Sequence, residues 1–532
     1  MDSKLYSHPL FTQHAELLSP DERVSLSYRR AKLVVQTYRP GLSANDIQFC
    51  SPRYWEMMMD PICASDIAMF TILAAHVGLT IGTLSRHLKR RSDFRPLVER
   101  LLRFDAKEGT DSIAFNIETT ATKTADGFIL NTPREEAAKF MPASTPLFGI
   151  PKVALVMARL IVEDEDRGCR FFVVPICNEH EMYQGVRSTR LPPRSGTCPL
   201  DFSITSFDHV FLPPTAIVAS DIHNLAAPAR GLESWWDEIW RIQLGTLAVP
   251  APWVSALKSV AFIGGTYSSW RCILGKNNRP TPILSFRTQQ WPVAHATATG
   301  LVMDTWYPVI VRQALEQKDP RIRHALSVIA KTTICRHFQR CVSEVSERCG
   351  AQGTFDQNYL ARIENDGKGV IIAEGDILTL CIRLFSERTS TYFNTLGGNH
   401  RSEAFNSVIL PQSQAVIEAI GQALAYSEAV RAGVPQPILD VYQCAAVRQD
   451  PAWYSEERHL SRAQQRVQDD KALTTFLPGL STYLDQLSIE KYVTAPIVSD
   501  AAWKAYLPDL PSYDGHAYYS DWSESSPMLA ML

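Results

Sequence analysis

The sequence predicts a multidomain α+β protein: an N-terminal helical domain over 1–104, a central antiparallel β-domain over 105–221, a helical bundle over 222–405 and a C-terminal helical extension over 406–532. Three observations predict it. At 532 residues the chain is longer than one ordinary core fills. The hydrophobic period switches from helical to alternating near residue 105 and back to helical near 222. Strand-like and helix-like stretches are segregated along the chain, which argues against alternating βαβ units.

Residues 20–104 read as helices. Apolar positions recur at spacings of three and four from Ala64 to Leu84 and again from Pro96 to Arg103. The window from Ile67 to Leu84 is the most apolar of the chain, but His76, Gly78, Gly82 and its threonines mark a buried helix rather than a membrane span. The basic run from Arg86 to Arg91 reads as a solvated helix face. From Ile113 to about Val218 the chain breaks into short runs rich in Val, Ile, Phe and Thr, many bounded by Gly or Pro: Ile117–Thr122, Gly127–Asn131, Val153–Val162, Arg170–Ile176, Phe202–Ile204 and Ser206–Phe211. That is an antiparallel β pattern. Beyond Ile222 the helical period returns. Leu326, Ile329, Ala330, Ile334, Phe338, Cys341, Val342 and Val345 make one apolar stripe, which reads as bundle core. A further helical stretch runs from about Gln412 to Leu487, and the Tyr- and Pro-rich tail from Tyr506 reads as loop.

Composition excludes several functions. A net charge near −3 without a basic cluster gives no footprint for nucleic acid. Eleven cysteines without CxxC spacing predict neither a disulfide framework nor a metal site. No Gly-x-Gly-x-x-Gly follows a strand, and the glycine-rich stretch from Asn394 to Asn399 lacks the Lys and Ser/Thr of a phosphate loop. The first residues lack a secretory pattern and the last are not of the Ser-Lys-Leu type, so a cytoplasmic location is expected, with a peroxisomal one the alternative.

Five segments occur in fixed order: Glu118-Thr-Thr-Ala-Thr122, Phe128-Ile-Leu-Asn-Thr-Pro133, Ser206-Phe-Asp-His-Val-Phe-Leu-Pro213, Tyr267-Ser-Ser-Trp-Arg271 and Val370-Ile-Ile-Ala-Glu-Gly-Asp376. Taken alone, Glu374 at the end of an apolar run is as compatible with an acid at a helix N-terminus. Together the segments resemble the acyl-CoA dehydrogenase and acyl-CoA oxidase superfamily over roughly residues 20–510, most closely its fungal oxidase-like branch.

The resemblance implies a four-helix bundle behind the β-domain, FAD between the two, and α,β-dehydrogenation of an acyl thioester carried on CoA or on a carrier protein. It makes Glu374 the base that removes the α-proton, its backbone N–H a donor to the thioester carbonyl, and Thr110 and Asp111 further substrate contacts. Such a base must be desolvated, because burial raises a carboxylate's proton affinity toward neutrality. Gly375 and Asp376 would lie beside the flavin. Gly350, Ala351 and Gly353 of Cys349-Gly-Ala-Gln-Gly353 resemble a Gly-Gly-x-Gly loop that lets backbone approach the cofactor; a helix C-cap by Gly350 is the plain alternative. Arg271 corresponds to an arginine that grips the FAD pyrophosphate across a subunit interface; Leu274 continues the pattern as a cofactor-binding residue, and Gln289 corresponds to an adenine-side or ribityl contact. A homodimer or homotetramer is therefore expected.

Two departures stand out. Around Arg103-Phe-Asp-Ala-Lys-Glu-Gly-Thr-Asp111 about nine residues of the family's pattern, including a flavin-contacting strand, are absent. At Lys139-Phe-Met-Pro-Ala-Ser-Thr145, Phe140 and Met141 replace the tryptophans that shield the flavin. These departures keep open a non-catalytic relative with a binding or oligomerisation role. A flavin monooxygenase on the same scaffold is the third reading, and Glu374 speaks against it.

Overall fold

The computed structural model describes residues 4–108, 117–194, 199–226, 240–395, 402–403 and 405–516. The N-terminal region is helical. Its longest helix, α1 (Pro20–Tyr38), starts at Ser19, which forms a capping box with Glu22. Helix α2 (Ile67–Leu73) runs on through a π-helical stretch, Ala74–Ile81, and α3 (Arg95–Leu102) follows. The segments Ile67–Ser85 and Trp240–Trp270 are long and apolar enough to cross a membrane, but their apolar windows are 78% and 94% buried inside the protein.

The β-region holds a six-stranded sheet, a three-stranded sheet and connecting loops. Its strands are β1 (Lys107–Glu108), β2 (Thr120–Lys123), β3 (Phe128–Asn131), β4 (Lys139–Phe140), β5 (Lys152–Val162), β6 (Glu165–Cys177), β7 (Val186–Arg190), β8 (Ser203–Phe207) and β9 (Val210–Leu212). The expectation of an antiparallel domain holds for most pairings, including the long β5–β6 ribbon and β2–β3–β9. It fails at one edge: β1 and β2 both run parallel to β5, at Lys152–Val153 and at Arg159–Ile161. A two-residue strand thus lies at Lys107–Glu108, within the segment that departs from the family's pattern. Short runs carry no signal of pairing direction, so the sequence could not show this.

The helical half contains α4 (Trp240–Ala248), α5 (Ala251–Trp270), α6 (Arg287–Glu316), α7 (Pro320–Arg348), α8 (Leu360–Val370) and α9 (Ile377–Thr395). Helices α5, α6 and α7 pack on one another, and the stripe from Ile329 to Val345 lies in their shared core. A hairpin, β10 (Cys272–Leu274) with β11 (Pro280–Pro282), leaves the end of α5. The extension adds α10 (Ser413–Arg431), α11 (Gln436–Val447) and α12 (Arg462–Phe476) against α6 and α7.

One buried polar cluster joins the N-terminal helices to the β-region. Asp201, fully buried, accepts from Tyr28 Oη at 2.6 Å, Thr145 Oγ1 at 2.5 Å and Lys152 Nζ at 2.5 Å. The two lysines beside it, Lys152 and Lys107, hold its carboxyl well below the usual range against a large desolvation cost. Arg91 makes a second tie and corrects the reading of its run as a solvated face. It is buried and donates to the carbonyls of Thr215, Ile217 and Ala219, which close the β-region.

Candidate active site

The stretch that ends α8 and begins α9 carries unusual backbone geometry at the expected base. Helix α8 stops at Val370, and the chain turns through Ile371–Asp376 before α9. Within that turn Glu374 has φ +55° and Gly375 φ +95°. Gly375 suits such a φ, whereas a glutamate there is held against its preference. Asp376 then caps α9, its Oδ2 accepting from Thr379 N at 3.1 Å.

Three side-chain hydrogen bonds hold the turn. Lys331, fully buried on α7, donates from Nζ to Ala373 O at 2.5 Å and to Gly375 O at 2.6 Å. Thr246 Oγ1 on α4 donates to Glu374 O at 3.0 Å. All three consecutive carbonyls are thus drawn toward neighbouring helices. No described protein group accepts from the N–H of Glu374, Gly375 or Asp376.

The side chain of Glu374 lies against α4. A Cβ built on Gly245 would stand 2.7 Å from its Cδ and 2.9 Å from its Oε2. The residue as a whole is half-buried. Burial pushes the carboxyl up to about 7, and the Lys331 ammonium only partly opposes that rise. Lys331 is in turn pulled below its ordinary value by burial, with Glu374 and Asp376 among the groups that oppose the fall. From the helix Pro52–Met58 comes Tyr54, buried and near enough to feel the Glu374 charge. Near it Arg241, also buried, donates to Gly78 O at 2.8 Å and Ile47 O at 3.0 Å.

A second cluster forms at the far end of α7. Arg271, exposed where α5 gives way to β10, hydrogen-bonds Tyr267, whose hydroxyl also senses Cys349. Gln289 on α6 is buried and donates from Nε2 to Ser268 Oγ at 2.8 Å and Arg348 O at 3.1 Å. Gly350 follows α7 with φ +59°, so the helix-cap geometry is present. A Cβ on Gly350 would meet nothing within 4 Å, whereas one on Gly353 would stand 2.2 Å from Ser346 O. Arg271, Gln289, Gly350, Ala351 and Gly353 therefore gather at one end of the bundle, with Leu274 73% exposed on the adjoining hairpin.

Positions 331 and 348 lie on one helix, which separates this cluster from Glu374 by about 25 Å at 1.5 Å per residue. Phe140, 57% exposed on β4, and Met141, with φ +59°, belong to the β-region. Thr110 and Asp111 lie outside the described residues.

Sequence reasoning missed Lys331, Gly245, Thr246 and Tyr54. One signal was available. Lys331 shares a helical face with Cys335, Phe338 and Val342, and a lysine in a core register needs a buried partner. The partners are backbone carbonyls, which no side-chain pattern reveals.

No family model matches the chain. Among curated proteins it is similar to the probable acyl-coenzyme A oxidase acox-1.5 of Caenorhabditis elegans, 23% identical over 289 residues, 50% of this chain and 43% of that protein. It also resembles acyl-coenzyme A oxidase 4 of Candida tropicalis, 35% identical over 103 residues, 18% of this chain and 14% of that protein. The chain thus matches less than half the length of these relatives. Among solved structures, acyl-CoA oxidase 1 of Yarrowia lipolytica matches with a TM-score of 0.79 at 15% identity, over 99% of this chain and 92% of that one. Acyl-CoA oxidase-2 of C. elegans, solved with FAD, ascaroside-CoA and ATP, matches with a TM-score of 0.75 at 15% identity, over 99% and 92%. The chain thus has the fold of these acyl-CoA oxidases over nearly its whole length, and its sequence is similar to that of such oxidases over part of it.

Proposed function

We propose that the chain is a flavoenzyme that introduces a double bond α,β to an acyl thioester, with Glu374 as the base. The observation that carries this reading is the pairing of a carboxyl that packs against Gly245 and that burial raises to about 7 with the unpartnered N–H of the same residue. Removing the α-proton of a thioester needs a base near neutrality and a donor for the charge that develops on the carbonyl oxygen. Glu374 supplies both. As a carboxylate it accepts the α-proton, its side chain resting against Gly245 of α4.

FAD, when bound, accepts the β-hydrogen as hydride. The residues fit such a dinucleotide in kind. Arg271 presents an exposed guanidinium suited to a pyrophosphate, and Gly350 leaves an open face where a side chain would crowd a ligand. Exposed Leu274 and Phe286, 73% and 44% accessible, give apolar surface beside the cation. The separation of about 25 Å between Glu374 and the Gly350 loop favours a cofactor bound across a subunit interface, Arg271 reaching the FAD of a second copy. The site of action is thus built by at least a dimer. The likeness to relatives named as acyl-CoA oxidases, one of them solved with FAD and an ascaroside-CoA, supports the same reading.

The purified protein is expected to show a flavin absorption band that bleaches when an acyl-CoA is added without oxygen. A colourless protein that ignores added FAD would favour the second reading, a non-catalytic relative. The observation behind that alternative is the shortened stretch between Asp105 and Asp111.

A further inference from the structure

Lys331 has no part in the proton transfer just described, yet it is the only lysine seen to contact the turn among the described residues. It is fully buried, and its ammonium sits between two carbonyls that flank Glu374. A buried ammonium is costly and persists only where its donors are satisfied. Here the acceptors are Ala373 O and Gly375 O, either side of a residue with φ +55°. In a trans peptide the carbonyl and the following N–H point in opposite directions. Drawing Ala373 O toward α7 therefore turns the Glu374 N–H away from α7, and drawing Gly375 O does the same for Asp376. Thr246 completes the pattern by holding Glu374 O from α4.

We propose that Lys331 is a positioning residue whose grip on Ala373 O and Gly375 O fixes Glu374 in its left-handed conformation, so that its carboxylate and its N–H face one thioester. This inference rests on the reading of Glu374 as the base. The ionisable groups facing Lys331 are Glu374 and Asp376 from the turn, Cys335 on α7 and Cys381 on α9. Glu374 faces Lys331 from α7 and Tyr54 from the helix Pro52–Met58. Neutralising Lys331 removes the one cation among the described residues that favours the Glu374 carboxylate and frees the carbonyls at the same time.

The test compares full-length wild type with Lys331→Met and Lys331→Arg. Crystal structures read the turn, anaerobic flavin reduction by acyl-CoA reads the rate, and the infrared carbonyl stretch of bound acyl-CoA reads the donor. For Lys331→Met, Glu374 is expected to leave the left-handed region, kcat to fall at least 30-fold with KM changed less than threefold, and the thioester carbonyl band to lose most of its downshift. Lys331→Arg, which keeps a cation with several donors, is expected to recover a part of each. If Lys331→Met does not fold, Lys331→Gln, which can serve one carbonyl, takes its place with the same expectations at smaller size. A Met or Gln variant that keeps φ at Glu374, the carbonyl shift and the wild-type kcat overturns the proposal. If wild type itself binds no acyl-CoA, the reading of the site as a thioester site has failed; the crystal structures alone then decide the clamp, an unchanged turn refuting it and a relaxed turn supporting it.

Discussion

Gly245 and Glu374 fit together as socket and side chain: a single Cβ at position 245 would stand 2.7 Å from the Glu374 Cδ. The atoms that would have to move are the far end of a flexible side chain, so Gly245→Ala is tolerable to the fold. Alanine also suits a helix interior better than glycine by up to about 1 kcal/mol. Gly245→Ala is therefore expected to leave Tm equal or slightly raised while lowering the rate of flavin reduction about 100-fold, since a displacement near 1 Å of a reacting group carries that cost. Thermal melts and stopped-flow absorbance measure the two effects separately.

The pH dependence of the rate follows from the carboxyl pKa of about 7. Glu374 acts as a base only when ionised. The reductive rate is expected to rise with pH below 7 and to level off above it, with one titrating group. A profile already flat from pH 5 to 8 would mean an unshifted carboxylate at this position.

The same shift has a stability consequence. The folded-state pKa lies above the ordinary 4.5, so the folded protein favours the protonated form. Stability from this group is complete below about 4.5, is lost as pH rises toward 7 and stays lost above it. The loss is at most about 3 kcal/mol. Glu374→Gln mimics the protonated form, so it should be more stable than wild type above pH 7, by up to that amount, and no more stable near pH 4.5. Urea unfolding at the two pH values distinguishes the cases.

Asp201 holds the seam between the N-terminal helices and the β-region through Tyr28, Thr145 and Lys152. Replacing it with alanine leaves a buried ammonium without its partner. A loss of about 3–5 kcal/mol is expected, measured by denaturant unfolding. A neutral result would mean that the lysines find other acceptors there.

Arg271 is exposed, and its side chain reaches the hydroxyl of Tyr267 at the end of α5. Arg271→Ala is expected to keep the melting temperature of the FAD-free protein and to weaken FAD retention at least tenfold, followed by the fluorescence of released flavin. Light scattering should give at least a dimer for wild type.

The order of helical and strand-rich regions, the bundle stripe and the Glu374 turn were legible because each is written in hydrophobic period or in a local motif. The apolar run Val370-Ile-Ile-Ala373 was read as a dry wall for Glu374; Val370 and Ile371 are buried, whereas Ile372 is 56% exposed and Ala373 is exposed too, because the run leaves the helix and enters the turn. What surrounds Glu374 was not legible. Gly245 and Thr246 lie more than a hundred positions earlier, and their role depends on how α4 crosses the turn. Lys331 binds carbonyls, which every residue carries, so nothing in the sequence marks its target. The parallel placement of β1 and β2 against β5 escaped for a related reason, since pairing direction is a property of tertiary structure.

The most direct measurement is the anaerobic reduction of bound flavin by acyl-CoA in wild type and Glu374→Gln, each shown first to hold its flavin. If Glu374 is the base, the variant keeps the flavin band and loses about 10²–10⁴-fold in reduction rate. Equal rates in the two proteins would contradict it and move the search for the base away from the turn that Lys331 holds.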